Sequence, residues 1–528
     1  MAKMEWTKVP ADLELVPGVP VKVEVRGEEV MLIRIGEHVH AWGHKCTHYG
    51  GPLSEGVVSG HSVICPWHTA RFDLATGAME SAPALDDLPR YAVKLEEGQL
   101  YVGPKQRATF PAVGGKDDRT FVIVGAGAAG NAAAETLRRE AFAGRIVTIT
   151  PESDGPYDRP NLSKDYLSGE AKPEWIPLRS PEFYKKQGIE IVTGRRVTAV
   201  DPDTRTVSFG DGERMKFDRL LLATGGVPRK LDVPGSDLEN FFLLRSLADA
   251  RRIVAAVQQA RTAVIIGSGF IGMEAASSLR HRGLTVHVAS QDDVPFVRVF
   301  GERVGRFFCD LAERNGVVFH PGCTPTEVQG DGKVRGVVLS DGSRLQADLV
   351  IAGVGIDPAV DCVRAAGLVQ DGAVPVNAQL RTRAESIYAA GDIALVPDPH
   401  TGQPRRIEHW TVAERQGQHA ARAMLGSTVP YDEVPFFWTM QFGVALQYVG
   451  YVRKPDRIVL RGSPDRGKFL AGYYENGTLR AAAGVGMDKE VILLSRMLRD
   501  GRSLSPAHLE NTQTDLAELM RHEQAAKG

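Results

Sequence analysis

Residues 121–130 read FVIVGAGAAG, and residues 263–272 read AVIIGSGFIG. Each stretch places an apolar run before a G-x-G-x-x-G turn, and an alanine-containing segment of helical composition follows it. In this context the glycines let the backbone approach a pyrophosphate, which then lies at the N-terminal end of the helix. One such turn is a weak indication, because other α/β domains also contain glycine turns. Two of them in one chain predict two doubly wound α/β domains that each bind a dinucleotide.

Further apolar runs support this fold class and suggest how the chain is divided. The segments RIVTIT, RLLLATG, LTVHVA and DLVIAGVG alternate with Ala-rich segments, as buried parallel strands alternate with helices. Before residue 105, short alternating runs broken by Gly and Pro predict a small all-β module instead. The predicted chain is therefore multidomain, of α/β and β type. Its predicted parts are the all-β module at 1–105, a linker at 106–118, a first dinucleotide domain at 119–245 and 361–428, a second at 246–360, and an α+β domain at 429–528.

The α+β domain is predicted from mixed short apolar runs and helical patterns. Strands are expected around 445–452, 457–460 and 469–474, and helices near 489–500 and 514–526.

Composition limits the remaining classes of function. The 528 residues include 63 basic and 65 acidic side chains, which gives a formal charge of -2. This balance lacks the one-sided positive field that attracts nucleic acid or anionic lipid, so we expect neither partner. The N-terminus has no apolar signal core and no 18 apolar residues run together, which predicts a cytoplasmic protein without a membrane span. Five cysteines are too few for a disulfide framework, so each is judged by its neighbours.

Two mixed Cys/His pairs lie in the all-β module. Cys46 and His48 form C-T-H, and Cys65 and His68 form C-P-W-H after 16 further residues. Two thiolates on one iron and two neutral imidazoles on the other are the ligands of a Rieske [2Fe–2S] cluster. Structural zinc is the alternative, although zinc motifs usually pair Cys with Cys and His with His. The loops CTHYGGPL and CPWHTARFDLATG resemble the cluster-binding loops of Rieske ferredoxins, so we predict that these four residues hold such a cluster.

From about residue 119 to 430 the chain resembles the ferredoxin reductases of oxygenase systems and apoptosis-inducing factor. The matching motifs are YDRPNLSK, ATGGVPR, LRSLAD and AGD, which begin at residues 157, 223, 244 and 390. In that family the first dinucleotide fold binds FAD, and the second, inserted within it, binds NAD(P)H. The resemblance therefore implies an FAD-dependent NAD(P)H:ferredoxin-type oxidoreductase.

The glycine turns and the resemblance together give the predicted cofactor-binding residues. The cations among them would neutralise the pyrophosphate, and Asp392 would accept hydrogen bonds from the ribityl chain of FAD. The full set is Gly125, Gly127, Ala128, Ala129, Gly130, Glu152, Arg159, Lys164, Val197, Ala223, Thr224, Gly225, Arg245, Gly267, Gly269, Phe270, Ile271, Gly272, Glu274, Asp292, Gly355, Gly391, Asp392, Glu408, His409 and Trp410.

A lysine–glutamate pair lies beside the reactive flavin nitrogen in the family, and Lys164 and Glu274 occupy those positions. A buried charge pair is costly unless its members satisfy each other, so we predict that these catalytic candidates touch. The aromatic run that starts at Phe436 resembles the start of the family's C-terminal domain, but its continuation departs from the usual one. In the second dinucleotide fold, Asp292 follows the strand LTVHVAS and no arginine comes immediately after it, which favours NADH over NADPH.

A disulfide reductase of this fold would need a redox-active cysteine beside the flavin. Residues 161–165 contain none, and Cys309, Cys323 and Cys362 are expected to be inert packing residues. We expect electrons to pass from NAD(P)H through FAD to the cluster, and then to an external acceptor protein such as an oxygenase. Covalent fusion would raise the effective concentration of the cluster module without requiring a tight interface. A redox-sensing, NADH-binding flavoprotein that signals through a partner is the alternative, and the sequence leaves the oligomeric state open.

Overall fold

The computed structural model of the protein describes residues 6–10, 12–106 and 115–519. Most of the predicted linker at 106–118 lies outside the described residues. The N-terminal module is all β, as predicted, and consists of a six-stranded antiparallel sheet and a four-stranded sheet. Its strands are β1 (Thr7–Lys8), β2 (Val21–Val25), β3 (Glu28–Ile35), β4 (His38–Gly43), β5 (Val57–Ser59), β6 (Ser62–Ile64), β7 (Arg71–Asp73), β8 (Met79–Ser81), β9 (Arg90–Glu96) and β10 (Gln99–Gln106).

Strand β3 is buried on both faces because it lies between two small cores. Val30 and Leu32 belong to one core, whereas Met31 and Ile33 belong to the other. The order of the larger sheet is β1-β10-β9-β4-β3-β2, and that of the smaller sheet is β5-β6-β7-β8. The second core also contains both cysteines of the predicted ligand pairs. Because successive side chains of β3 point to opposite faces, this strand packs against both cores, and the second core lies beside the ligand-bearing loops.

The first dinucleotide domain is a parallel sheet in the order β13-β12-β11-β17-β29, as the apolar runs predicted. Small side chains let its helices pack closely, and a Cβ added to Gly417 of helix α9 would lie 2.1 Å from the carbonyl oxygen of Ala129 in α1. The elements before the insertion are β11 (Thr120–Val124), α1 (Ala128–Arg139), β12 (Arg145–Ile149), α2 (Asp165–Ser168), α3 (Pro181–Lys186), β13 (Ile189–Val192), β14 (Val197–Asp201), β15 (Thr206–Phe209), β16 (Arg214–Lys216), β17 (Arg219–Leu222) and β18 (Gly226–Pro228).

The second dinucleotide domain is inserted in the first and has the parallel order β19-β26-β20-β21-β22. Strand β19 pairs with β26, so the sheet begins at Phe241, although the range predicted for the first domain extends to 245. Long-range pairing decides that boundary, and the sequence shows no break there. The elements of the insertion are β19 (Phe241–Leu243), α4 (Leu247–Val257), β20 (Thr262–Ile266), α5 (Phe270–His281), β21 (Thr285–Ser290), α6 (Val297–Phe300), α7 (Glu302–Arg314), β22 (Val317–Pro321), β23 (Pro325–Asp331), β24 (Lys333–Leu339), β25 (Arg344–Gln346), β26 (Leu349–Ala352) and β27 (Ile356–Pro358).

The chain then returns to the first domain and completes its sheet with β29. The returning elements are α8 (Asp361–Arg364), β28 (Val374–Pro375), β29 (Ile387–Ala389), β30 (Ala394–Pro397), β31 (Pro404–Arg405) and α9 (Trp410–Met424).

A five-stranded antiparallel sheet in the order β32-β33-β36-β35-β34 forms the last domain. The three predicted strands and the predicted helix near 489–500 are present, but β32 and the Ala-rich β36 were not predicted. Residues 516–519 are helical, and the rest of the helix predicted at 514–526 lies outside the described residues. The elements are β32 (Phe436–Gln441), β33 (Val444–Gly450), β34 (Arg457–Ser463), β35 (Lys468–Glu475), β36 (Thr478–Val485), α10 (Asp488–Arg499) and α11 (Pro506–Glu510).

Side chains of the reductase domains form hydrogen bonds and ion pairs with the all-β module. Arg139 donates to Asp87, and Arg179 donates to Asp86 and to the carbonyl of Leu85, at 2.8–2.9 Å. These direct contacts hold the module against the reductase domains. The module therefore has a polar interface with the reductase domains in addition to its covalent link, and the idea that transfer does not require a tight interface stays a prediction.

The carboxylate of Glu433, whose side chain is 15% exposed, is central to this interface. It pairs with Arg71 of the all-β module, and Arg415 of α9 lies 3.8 Å away. Arg415 also donates to the carbonyl and hydroxyl oxygens of Thr69 at 2.8 Å. Burial alone would raise the pKa of Glu433, but Arg71, Arg415 and Arg499 outweigh it and lower this pKa to about 2. The carboxylate is thus held ionised between domains.

We expect Glu433→Gln to lower the free energy of unfolding by about 3 kcal/mol, because the buried Arg415 and the largely buried Arg71 lose their anion. A carboxyl whose folded pKa is depressed stabilises the fold above its unfolded pKa and loses that contribution as the pH falls through the folded value. The difference between the two proteins should therefore be largest above pH ~4.3 and shrink towards pH 2.

Urea unfolding at several pH values measures this difference. Glu190→Gln is the matched control, because Glu190 forms an exposed pair with Arg145 and its loss should cost less than about 1 kcal/mol. Equal effects of the two substitutions would contradict the assigned role of Glu433.

Candidate functional site

Two loops at one end of the all-β module carry the predicted cluster ligands. Cys46 donates its backbone N–H to Gly51, and Cys65 donates its own to Ala70, both at 2.9 Å. A Cβ added to Gly51 would lie 2.7 Å from the sulfur of Cys65, so only glycine fits between the loops there. The hydrogen bond from the Cys46 thiol lowers the pKa of Cys65 despite its burial. The same hydrogen bond and burial raise the pKa of Cys46, so the pair favours a thiolate, the form of cysteine that binds metals, at Cys65.

The two predicted imidazole ligands also meet each other. The Nδ1 atoms of His48 and His68 are 3.0 Å apart. Burial lowers the pKa of His48 to about 3 and that of His68 well below its ordinary value, so both rings stay neutral as metal ligation requires.

The four side chains form a Cys pair and a His pair. In the described part of the chain, no three His, Cys, Asp or Glu side chains gather so that they could hold a single metal ion. A tetrahedral zinc site needs all its donors around one point, whereas a Rieske cluster takes two thiolates on one iron and two imidazoles on the other. The residues present therefore fit the [2Fe–2S] cluster better than zinc.

A cavity of about 1130 Å³ lies where the two dinucleotide domains and the last domain meet. Most of the predicted cofactor-binding residues line it, together with the unpredicted Phe437 and Trp438. The predicted residues that line the cavity are Gly125, Gly127, Ala128, Ala129, Glu152, Arg159, Lys164, Val197, Ala223, Thr224, Gly225, Arg245, Gly269, Phe270, Ile271, Glu274, Gly355, Gly391, Asp392, Glu408, His409 and Trp410.

Three predicted glycines lie behind the cavity wall instead. A Cβ on Gly130 would lie 1.8 Å from the carbonyl oxygen of Gly125, and one on Gly272 would lie 2.0 Å from that of Gly267. These positions let each helix begin directly against its strand, so that the free N–H groups of α1 and α5 point towards the cavity. We therefore expect these three glycines to affect a bound nucleotide only indirectly, through the position of each helix.

The cavity offers polar groups that fit FAD. The Nδ1 atom of His409 and the hydroxyl of Thr411 are buried without a hydrogen-bond partner. Burial lowers the pKa of His409 to about 4, so the ring is neutral. Arg245 contacts Asp392 at 2.9 Å, which places one cation and one acceptor at the same wall. These unpaired and paired groups suit a ligand with a pyrophosphate and hydroxyls.

The predicted contact between Lys164 and Glu274 is confirmed, since Lys164 Nζ lies 2.8 Å from the carboxylate. Ser163 donates to the same Glu274 oxygen at 2.5 Å, and Thr439 donates to the other at 2.7 Å. Glu274 thus has three donors, two from adjacent residues just before α2 and one from β32, which satisfies the buried charge. Ser163 and Thr439 were not predicted, because hydroxyls carry no motif of their own.

Asp292 does not line the cavity. Its carboxylate pairs with Arg298 at 2.9 Å, because α6 begins at Val297 and brings the arginine back towards the end of β21. Binding of the nucleotide's ribose hydroxyls by Asp292 stays a prediction. The pairing occupies the nearby arginine that could otherwise meet a 2′-phosphate, which agrees with a preference for NADH.

Two aromatic residues that join the cluster loops to the reductase were also missed. Trp438 lines the cavity, and its ring centroid lies 4.2 Å from that of His68. Tyr49 contacts His48 at 4.2 Å and donates its hydroxyl to Asp158. A local pattern could have pointed only to Tyr49, as the neighbour of a ligand, because Trp438 meets the loops through tertiary packing.

Fold and site together define a two-dinucleotide flavoprotein reductase with a Rieske module. Three family models match the chain. They are "Pyridine nucleotide-disulphide oxidoreductase" over residues 119–417, "Rieske [2Fe-2S] domain" over 5–92 and "Reductase C-terminal" over 436–520. The chain belongs to the pyridine nucleotide-disulphide oxidoreductase family, in the group of apoptosis-inducing-factor-like proteins and oxygenase ferredoxin reductases.

Similar proteins cover most of the chain. Human apoptosis-inducing factor 3 is 37% identical over 93% of this chain and 83% of its own length. The biphenyl dioxygenase system ferredoxin–NAD(+) reductase component of Paraburkholderia xenovorans is 34% identical over 76% and 98%. The solved ferredoxin reductase for the CYP199A2 system from Rhodopseudomonas palustris has a TM-score of 0.73 and 34% identity over 76% and 100%. The chain is thus an electron-transfer oxidoreductase that uses FAD, NADH and a [2Fe–2S] cluster.

No helix in the described ranges combines the length and the apolarity needed to cross a bilayer.

We expect His48→Cys to convert the mixed ligand set into one dominated by thiolates. The reduction potential should fall by roughly 100 mV or more towards that of all-cysteine clusters, which lie near −400 mV. Electron paramagnetic resonance and redox titration of anaerobically purified protein measure this change. An unchanged spectrum, or zinc in place of iron in the native protein, would contradict the assigned ligands.

We expect Gly272→Ala to weaken NADH binding at least about tenfold, equivalent to ~1.4 kcal/mol, because the added Cβ pushes α5 away from its turn. Flavin absorbance should remain, since the FAD turn is separate. Anaerobic flavin reduction at increasing NADH concentration measures the apparent affinity. Gly155→Ala is the control, because Gly155 does not line the cavity and a Cβ there meets nothing within 4 Å. Loss of flavin from the Gly272 variant would contradict separate sites.

Proposed function

We propose that the protein passes electrons from NADH through FAD to its own Rieske cluster and from there to an external acceptor protein. The observation that carries this proposal is the position of Trp438. Its side chain lines the cavity and also contacts the ring of His68 at 4.2 Å. The same aromatic side chain therefore borders the flavin site and a cluster ligand.

When bound, FAD accepts two electrons as hydride and releases them singly, which a one-electron cluster requires. The chain's own residues hold and orient the partners of that exchange. Lys164 is fixed by Glu274, which keeps a positive charge at the cavity wall between α2 and α5. A cation there favours the reduced, more negative flavin. Thr439, which donates to Glu274, is the neighbour of Trp438 in β32 and ties that strand to the same wall.

Fixed docking of the all-β module supports transfer within one chain. Gln447 donates its amide to the carbonyl oxygens of Pro66 and Trp67 at 2.9 and 3.1 Å, which holds the second ligand loop against β33. The Arg71–Glu433–Arg415 contacts hold the adjoining strand. Because both ends of this loop are held, the distance from His68 to Trp438 does not depend on diffusion of the module.

The acceptor is proposed from the relatives. Several of them are named as reductase components of dioxygenase systems, such as the biphenyl and benzene systems. We propose an oxygenase component or another one-electron protein as the acceptor of this chain.

We expect Trp438→Leu to slow reduction of the cluster by NADH at least about tenfold, while NADH still bleaches the flavin at the native rate. Stopped-flow absorbance follows the flavin, and rapid-freeze paramagnetic resonance follows the cluster. Trp175→Leu is the matched control, because Trp175 is 62% exposed and packs against Lys172 in the FAD domain.

Equal cluster reduction in the Trp438 variant would contradict this route. A long-lived complex of reduced flavin and nicotinamide with an unreduced cluster in the native protein would favour a redox sensor instead.

A further inference from the structure

The docked module raises the question of where electrons leave the cluster. His68 contacts Trp438 on the side of the flavin cavity, so that imidazole faces the donor. The module is held by Glu433 and by Gln447, so release from the reductase would break buried contacts. An acceptor must therefore reach the cluster while the module stays docked. An electron route that leaves the cluster through a different ligand from His68 would meet this requirement.

Tyr49 contacts the other predicted imidazole ligand, His48. Its ring centroid lies 4.2 Å from that of His48, the same separation as between Trp438 and His68. The residue is 44% exposed. Trp438 is 6.1 Å from His48 and Tyr49 is 6.0 Å from His68, so each imidazole is closest to a different one of these two rings, and of the two only Trp438 lines the flavin cavity.

The ring of Tyr49 is fixed by its hydroxyl. Tyr49 donates to the buried carboxylate of Asp158 and accepts from the side-chain amide of Asn161 at 3.2 Å. A surface tyrosine can satisfy its hydroxyl with water, so an anchored one is ordered by the protein. The anchored ring is tilted by 55° to that of His48, while 44% of the residue stays exposed. This geometry keeps a short contact between the ligand and the surface.

Trp67 is the competing exposed aromatic residue of the ligand loops. It is 41% exposed, but its ring centroid is 6.5 Å from that of His68, and its ring packs beside Gly51. Electron tunnelling weakens steeply with each added ångström, so the closer contact is the better route. The distances therefore favour Tyr49 over Trp67.

We propose that Tyr49 is the exit residue through which the cluster passes electrons to its acceptor. This inference rests on the proposed function. One electron leaves the iron held by His48 and enters a one-electron acceptor that touches the Tyr49 ring. The iron returns to the ferric state, the acceptor is reduced by one electron, and no bond or proton is exchanged. The ring is not itself oxidised and only shortens the distance between the two centres.

The test measures exit separately from entry. Holoenzyme is reduced anaerobically with dithionite and mixed with ferric cytochrome c, and the loss of the cluster signal is followed by stopped-flow absorbance. We expect Tyr49→Leu to slow this step about tenfold, and Tyr49→Phe, which keeps the ring and loses only the hydroxyl, to recover most of the rate. Trp175→Leu is the control for loss of an exposed aromatic residue elsewhere.

Paramagnetic resonance of each reduced variant shows whether the ligands remain in place, and NADH-driven cluster reduction shows whether docking does. An unchanged or faster exit in Tyr49→Leu with a native cluster spectrum would overturn the proposal, as would equal losses in the Leu and Phe variants. If NADH fails to reduce the cluster in the native protein, the proposed function fails, whereas exit from dithionite-reduced protein still tests Tyr49.

Discussion

A carboxylate shared between cations of different domains holds this structure together. Glu433 comes just before the last domain, Arg71 belongs to the all-β module, and Arg415 belongs to α9 of the FAD domain. Each charge is costly to bury alone, so the arrangement is stable only when all three meet. Arg415 adds hydrogen bonds to Thr69, next to the predicted ligand His68. The position of the ligand loops relative to the flavin cavity therefore follows from this contact.

With the module held in place, aromatic rings connect the redox sites. His68 meets Trp438 and His48 meets Tyr49, at equal ring separations. The two imidazoles are predicted to bind the same iron, and each has its shortest aromatic side-chain contact with a different residue, one of which lines the flavin cavity.

The flavin cavity depends on a second buried charge. Glu274 is satisfied by Lys164, Ser163 and Thr439, which come from the first domain and the last domain around the inserted helix α5. These hydrogen bonds join three domains at the cavity wall. They also place Thr439 next to Trp438, so the group that stabilises the cavity and the group that contacts the cluster module share one strand.

Short motifs let the sequence by itself determine the chemistry of this protein. The glycine turns, the mixed Cys/His pairs and the apolar parallel strands each depend on neighbours within a few residues, and the structure contains them where they were predicted. Only the tertiary structure decided the rest. Arg71 and Glu433 are 362 positions apart, and the strand Thr478–Val485 is rich in alanine, which favours helices in isolation. Packing against β33 and β35 overrides that preference, because contacts between distant segments leave no local periodicity in the sequence.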